Sequence, residues 1–152
     1  MDTHDRDVTG LRHAIEQAKV GRSEGGVPIG GALIADDGTV LGLGHNRRVQ
    51  SNSAIRHGET DALENAGRLA AAVYRRSTIY TTLSPCDMCT GAILLYGIPR
   101  VVMGENRTFV GGEDLLRQRG VEVVNLDWQE CVDLMAEFIA AHPDIWNEDI
   151  GE

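Results

Sequence analysis

Two short segments of the sequence carry side chains that could bind a metal ion. His57-Gly58-Glu59 supplies an imidazole and a carboxylate, and Pro85-Cys86-Asp87-Met88-Cys89 supplies two thiols. Each segment alone is a weak signal, because a C-x-x-C pair can also be redox active or form half of a four-cysteine zinc site. Together, His57, Cys86 and Cys89 offer one nitrogen and two sulfur ligands. Three protein ligands leave the fourth tetrahedral position of zinc open for water, which is the arrangement of catalytic zinc.

Glu59 is the residue that would make such a site hydrolytic. It lies two residues after His57 and need not bind the metal. Zinc lowers the pKa of its bound water towards neutrality, and a neighbouring carboxylate can take the proton and pass it to the substrate.

The third cysteine, Cys131, lies among apolar residues, and we interpret it as a packed core thiol. For His57, Cys86 and Cys89, the alternatives to a catalytic zinc site are a structural zinc site and a thioredoxin-like redox pair.

Alternating helices and strands are predicted to position these residues. Leu11, Ile15 and Ala18 recur at helical spacing, and Thr9 can cap that helix. Strands that alternate with helices imply a sheet covered on both faces, an α/β fold in three layers. The predicted helices cover 9–22, 57–74, 86–96, 113–119 and 127–141, and the predicted strands cover 28–35, 39–44, 78–83, 101–104 and 121–126, with a loop over 46–56 and an acidic tail after Pro143.

The metal-binding side chains fall at the starts of two predicted helices. Cys86 and Cys89 are three residues apart in a first turn and therefore share a face. A helix N-terminus favours the thiolate form that zinc requires. His57 begins another helix, so two helix starts could converge on one ion.

Composition narrows the classes of partner. The chain has 152 residues, which suits one domain spanning 1–152, and a formal net charge of −9. Nucleic-acid binders usually carry a basic patch, whereas Arg47–Arg48 and Arg75–Arg76 are short pairs that we interpret as solvated. We therefore expect no nucleic-acid partner. No apolar segment has the length of a signal peptide core or a membrane span, so we expect a cytoplasmic protein without a membrane partner.

With these motifs in place, the chain resembles the cytidine/cytosine deaminase superfamily, and most closely cytosine deaminases of the fungal type. The resemblance runs from about Gly25 to Glu152. It implies a single-domain α/β/α sandwich around a five-stranded mixed sheet, one Zn²⁺ per chain and a homodimer. The segments that carry it are Glu24–Gly31, Gly44–Asn46, His57–Glu59, Leu63–Asn65, Tyr80–Gly91, Tyr96–Arg100, Gly104–Asn106 and Glu148–Glu152.

The resemblance also implies polar contacts to a pyrimidine. Asn46 would bind the O2/N1 edge, and the backbone N–H of Gly58 would reach O2, where a side chain would obstruct close approach. The Ser84 carbonyl would accept from the exocyclic amine, and Asp149 would help to bind that edge. Without the resemblance, Asn46 could be an ordinary turn residue and Asp149 a solvated acid of the tail.

The apolar walls of the pocket are implied in the same way. Phe109 and Trp146 would close over the base, and Ile29 would pack against it. The residues alone favour Phe109 and Trp146 as plain core aromatics. A tail folded over the base would tolerate a ribose poorly, which argues against cytidine as the substrate.

The reaction implied is hydrolytic deamination of a free nucleobase, most closely cytosine to uracil and ammonia, with Glu59 as the proton shuttle. Deamination of isocytosine, guanine or a related azine would use the same zinc chemistry. A tRNA adenosine deaminase would need a basic surface, and a non-catalytic zinc-stabilised interaction domain would lack the glutamate. Thr60, Asp61, Asn147 and the segment 110–117 depart from the fungal pattern next to the expected pocket, which leaves the choice of base open.

Overall fold

A five-stranded mixed sheet forms the centre of the structure, a computed structural model that describes residues 1–152. Its spatial order is β2-β1-β3-β4-β5. β1 pairs antiparallel with β2 and β3, whereas β3, β4 and β5 run parallel. The predicted hairpin and the predicted five-stranded mixed sheet are therefore confirmed. The strands are β1 (Gly30–Ala35), β2 (Val40–His45), β3 (Ser77–Thr81), β4 (Arg100–Met103) and β5 (Glu122–Asn125).

Helices cover both faces of this sheet, because successive strand residues point to opposite sides. Ala32, Tyr80 and Val102 pack with residues of α1 and α6, while their neighbours Leu33, Ile79 and Val101 pack with residues of α2, α4 and α5. The predicted three-layer α/β/α sandwich is therefore confirmed. The helices are α1 (Thr3–Ser23), α2 (Gly58–Ala66), α3 (Ala71–Tyr74), α4 (Asp87–Tyr96), α5 (Glu113–Gln118), α6 (Gln129–Ala141) and α7 (Pro143–Asp149).

Two of the predicted helices differ from their predicted bounds by more than two residues. α1 begins at Thr3 rather than at Thr9, because the Asp2 side chain caps it by accepting from the backbone N–H of Asp5. The predicted helix over 57–74 is interrupted after Ala66 by Gly67, whose φ of 78° lies in the left-handed region. The two pieces are α2 and the single turn α3.

The predicted acidic tail is in fact helical. Pro143 ends α6 and also begins α7, since proline needs no N–H at the first helical position and its φ suits a helix. α7 packs on α6 and carries Trp146 and Asp149 on its buried side. Each helix of the structure lacks either the length or the apolar character required to cross a membrane.

Close backbone contact fixes the start of α2 against the sheet. A Cβ atom at Gly31 in β1 would lie 2.7 Å from the carbonyl oxygen of Gly58, closer than real Cβ contacts allow. Only glycine at position 31 permits this approach. The backbone that carries His57 and Glu59 therefore rests directly on β1.

Candidate active site

The candidate site lies where β2 and β3 end and where α2 and α4 begin. Asn46 directly follows β2, His57 is the N-cap of α2, and Cys86 is the N-cap of α4. The two helix starts converge, as the sequence predicts. Each helix directs its positive dipole end towards the same point, which favours thiolate and bound anions there.

His57, Cys86 and Cys89 form a compact ligand group. Their candidate ligand atoms all lie within 4.8 Å of one another. The Nδ1 atom of His57 is 3.4 Å from the Cys86 Sγ atom and 3.8 Å from that of Cys89. One imidazole nitrogen and two thiol sulfurs, all facing one point, match the donor set of a tetrahedral zinc site with an open position. The residues present therefore fit zinc.

Electrostatic interactions within the ligand group favour the thiolate form of Cys86 and the protonated form of Cys89. A hydrogen bond from Cys89, reinforced by His57, lowers the pKa of Cys86 to about 4 although burial opposes this. The hydrogen bond to Cys86, together with burial, raises the pKa of Cys89. Burial lowers the pKa of His57, but Cys86, Asp149 and Glu59 outweigh it and raise the value to about 9. Metal binding must displace these protons, which couples zinc affinity to pH.

Glu59 projects into the same pocket from the first turn of α2 and is buried. Burial raises the pKa of its carboxyl to about 7, against the opposing effect of His57. The charge of a bound zinc ion acts in the opposite direction. A carboxyl with a pKa near neutrality can both accept and return a proton, as a general acid–base must.

Asp149 reaches the site from α7. Its Oδ1 atom accepts from the Asn46 Nδ2 atom at 2.7 Å and lies 3.7 Å from the His57 Nε2 atom. Burial raises the pKa of Asp149. Asn46 is buried and its backbone N–H donates to the Ile29 carbonyl. Asp149 is therefore not a solvated acid of the tail. Asn46 does occupy a turn, since its Oδ1 atom accepts from the Arg48 N–H at 3.1 Å, and it contacts Asp149 from that position.

A small enclosed cavity adjoins these groups. Phe109 and Trp146 meet edge to face above it, with ring centroids 6.1 Å apart and planes at 83°. Asn46 and Gly58 do not line it, but Asn46 donates to the lining residue Asp149, and Gly58 stands in the chain between the lining residues His57 and Glu59. Sequence reasoning missed Leu83 and Ile150, whose only signal was their adjacency to Ser84 and Asp149. The lining residues are Ile29, His57, Glu59, Leu83, Ser84, Cys86, Phe109, Trp146, Asp149 and Ile150.

Three of the residues that depart from the fungal pattern, Thr60, Asp61 and Asn147, do not line this cavity, whereas Gly111 and Glu113 of the segment 110–117 contact Ser84 in its wall. Thr60 donates its hydroxyl to the Ile55 carbonyl and accepts from the His57 N–H at 2.9 Å. Asn147 is exposed. Thr60, Asp61 and Asn147 therefore lie beside the site in the chain and not in the pocket.

Asp61 instead anchors two arginines. Its carboxylate is fully buried and accepts from Arg56 at 2.6 and 3.0 Å, from Arg47 at 3.1 Å and from the His45 N–H at 3.0 Å. Arg47 is therefore only partly solvated, because it pairs with Asp61 while 34% of its side chain stays exposed. The next residue, Arg48, is largely buried, and its Nη2 atom lies 3.9 Å from the Oε1 atom of Glu148. Arg75 and Arg76 are exposed, as interpreted from the sequence. Asp61 ties together the two ends of the loop that separates Asn46 from His57.

Cys131 is buried beside Gly104 in the core, outside the ligand group, and burial raises its pKa to about 12. A thiol of this kind stays protonated and serves packing. The prediction of a core thiol is confirmed.

Comparison with known proteins agrees with this geometry. The family model for the cytidine and deoxycytidylate deaminase zinc-binding region matches residues 4–105. A cytosine deaminase of Candida albicans is 65% identical over 146 residues, which cover 96% of this chain and 97% of that protein. A tRNA-specific adenosine deaminase of Streptococcus pyogenes serotype M18 is 37% identical over 114 residues, which cover 71% of this chain and 68% of that protein.

A solved structure of a guanine deaminase from Nitrosomonas europaea shares the fold, with a TM-score of 0.71 at 22% identity, over 86% of this chain and 83% of that one. The ligand group lies inside the region that the family model matches. The chain therefore belongs to the zinc-dependent cytidine and deoxycytidylate deaminase family.

Proposed function

We propose that this chain catalyses the hydrolytic deamination of cytosine to uracil and ammonia. The observation that carries the proposal is the convergence of His57, Cys86 and Cys89 beside the buried carboxylate of Glu59, under an enclosed cavity. The high identity to a cytosine deaminase over nearly the whole of both chains supports cytosine as the base.

The residues divide the chemistry between them. Zinc, held by His57, Cys86 and Cys89, supplies a polarised water of lowered pKa when it is bound. Glu59 takes a proton from the attacking water and delivers it to the ring nitrogen N3. The water oxygen becomes bonded to C4, and Glu59 then takes the proton that remains on that oxygen and passes it to the exocyclic amine. The C4–N bond breaks, ammonia leaves, and the oxygen stays on C4 as the carbonyl of uracil.

Polar groups at two sides of the cavity support recognition of the base. The Asn46 amide and the Gly58 backbone N–H serve the O2/N1 edge, and the Ser84 carbonyl and Asp149 serve the exocyclic amine. The bond between Asn46 and Asp149 fixes the amide in one orientation before the base enters. A site built around hydrogen bonds to the substrate rejects analogues that leave those groups unpaired.

Apolar side chains enclose the ring of the base. Ile29 forms one wall, and Phe109 and Trp146 form the cover. Enclosure excludes bulk water and strengthens every polar contact inside. Trp146 and Asp149 of α7 cover one side of this cavity. A cover on the base favours a free base over cytidine.

The first test is ammonia release from cytosine, isocytosine, guanine, adenine and cytidine. Turnover of cytosine alone is expected, and Glu59→Gln is expected to retain zinc while losing at least about 100-fold in kcat, since a general acid–base contributes at least that much. Glu64→Gln, an exposed position of the same helix, is the matched control. Silence on cytosine with turnover of another base would overturn the substrate, and an active Glu59→Gln would overturn the role of Glu59.

A tRNA substrate is disfavoured by charge. The chain carries 14 basic and 23 acidic residues, and Arg47 and Arg56 are engaged by Asp61. Phosphate contacts require accessible basic side chains. We therefore expect a small neutral substrate and no nucleic-acid partner.

A homodimer is the proposed assembly. A broad groove between α2, α3 and α4 displays Leu95, which is 74% exposed, and Tyr96, beside apolar parts of Leu63 and Leu69. Apolar residues clustered at one surface mark protein interaction sites. A second copy of the chain is the proposed occupant. The cytoplasmic location stays a prediction.

A further inference from the structure

Glu113, at the start of α5, is a buried carboxylate that the proposed reaction does not use. It is 4% exposed, and its Oε2 atom accepts from the Ser84 hydroxyl at 2.6 Å. Its other oxygen accepts from Asn106 at 3.3 Å and lies 3.8 Å from Arg117. Burying a carboxylate is costly unless it gains charge-assisted hydrogen bonds of this kind.

The Ser84 hydroxyl joins this carboxylate to the loop between β4 and α5 (residues 104–112), which carries Phe109. While it donates to Glu113, it accepts from the Gly111 N–H at 2.9 Å. The Ser84 N–H donates to the Glu105 carbonyl at 3.0 Å, whereas the Ser84 carbonyl accepts no hydrogen bond from the protein. A buried carbonyl without a donor is available to the amine of a base.

The loop lies against the turn between β3 and α4 without intervening side chains. A Cβ atom at Gly111 would lie 1.8 Å from the Pro85 carbonyl oxygen, and the Gly112 N–H donates to that oxygen at 3.0 Å. At the other end of the loop, Glu105 accepts from the N–H and the hydroxyl of Thr108. Phe109 is therefore held from both sides.

We propose that Glu113 is a positioning residue, which through the Ser84 hydroxyl holds the Ser84 carbonyl and Phe109 in place around the exocyclic amine of the base. The inference rests on the proposed function, because that function gives Ser84 and Phe109 their contacts with cytosine. Loss of Glu113 leaves the zinc ligands and Glu59 untouched. This loss makes the Ser84 carbonyl and Phe109, which the base contacts on binding, more mobile.

The test compares Glu113→Ala, Glu113→Gln and Asp114→Ala in the zinc-loaded protein. Asp114 is the matched control, because it occupies the next position of the same helix turn with its side chain 97% exposed. We expect Glu113→Ala to raise KM for cytosine about 10-fold with kcat within about 2-fold, the scale of losing an outer partner of a site residue. Glu113→Gln retains an acceptor for the hydroxyl and is expected to lie between wild type and Glu113→Ala.

A purely structural role would lower the active fraction and hence kcat, with KM unchanged. Amide hydrogen exchange at Gly111 gives a second measurement that needs no activity. It should accelerate in Glu113→Ala, accelerate less in Glu113→Gln and stay unchanged in Asp114→Ala. An unchanged KM or unchanged exchange in a folded Glu113→Ala would overturn the proposal. If that variant fails to fold, the KM and exchange of Glu113→Gln decide in the same way. If wild type does not turn over cytosine, the proposed function fails, and the exchange at Gly111 still decides whether Glu113 holds the loop.

Discussion

Two buried carboxylates on α2, two residues apart, have opposite surroundings. Glu59 faces the cavity, and burial raises its pKa to about 7. Asp61 faces the other way and satisfies both oxygens with two arginines and a backbone N–H. The first environment leaves a carboxyl that can exchange protons, and the second fixes one that holds structure.

The Asp61 pairing can be tested by removing its charge. We expect Asp61→Asn to lower the free energy of unfolding by about 2 kcal/mol, below the usual cost of breaking a buried pair because both arginines remain about one-third exposed. Urea unfolding of the zinc-loaded protein measures this, with Glu64→Gln on the same helix as the control. A loss no larger than that of the control would show that the arginines hold the loop without Asp61.

The chemistry-bearing residues could be predicted because their types and spacing alone encode a zinc site. His57, Glu59, Cys86 and Cys89 need only short local patterns to be recognised. Glu113 could not be found in this way, since its partner Ser84 lies 29 residues away and no local pattern joins them. Asp61 was noticed only as a departure from a pattern, and its partners required coordinates.

At the scale of elements, periodicity located every strand and most helices, and its failures have local causes. A single glycine within an apolar helical pattern is compatible with a helix, so Gly67 gave no clear stop between α2 and α3. Pro143 signals the end of one helix and the start of another equally well, and polar residues around it indicated a tail. Tertiary contacts of Trp146 and Asp149 decided in favour of α7.

The α7 helix is expected to serve the base and not the metal. Deleting residues 146–152 removes Trp146 and the partner of Asn46, so we expect activity to fall below about 1% of wild type while one zinc per chain is retained. Zinc content by mass spectrometry and ammonia release measure the two effects. Deleting only Gly151 and Glu152, both exposed, is the control. An active protein lacking 146–152 would contradict this role of α7.

At the scale of the whole molecule, the exposed groove beside α4 predicts the assembly. Leu95→Asp places a charge in the centre of the groove, and we expect it to shift the protein from dimer to monomer in sedimentation at micromolar concentration. Leu115→Asp, at a 45% exposed position on α5 outside the groove, should leave the mass unchanged. A wild-type protein that sediments as a monomer would refute the assembly.

Asn46 and Asp149 are hydrogen bonded although 103 residues separate them in the chain, which has a consequence for the synthesis of the protein on the ribosome. The three metal ligands are complete once Cys89 has been made, whereas the pocket wall awaits Asp149, 60 residues later (149 − 89). At about 5–20 residues per second, the ribosome needs about 3–12 s to add them. A growing chain therefore contains all its metal ligands several seconds before it contains a complete pocket for the base.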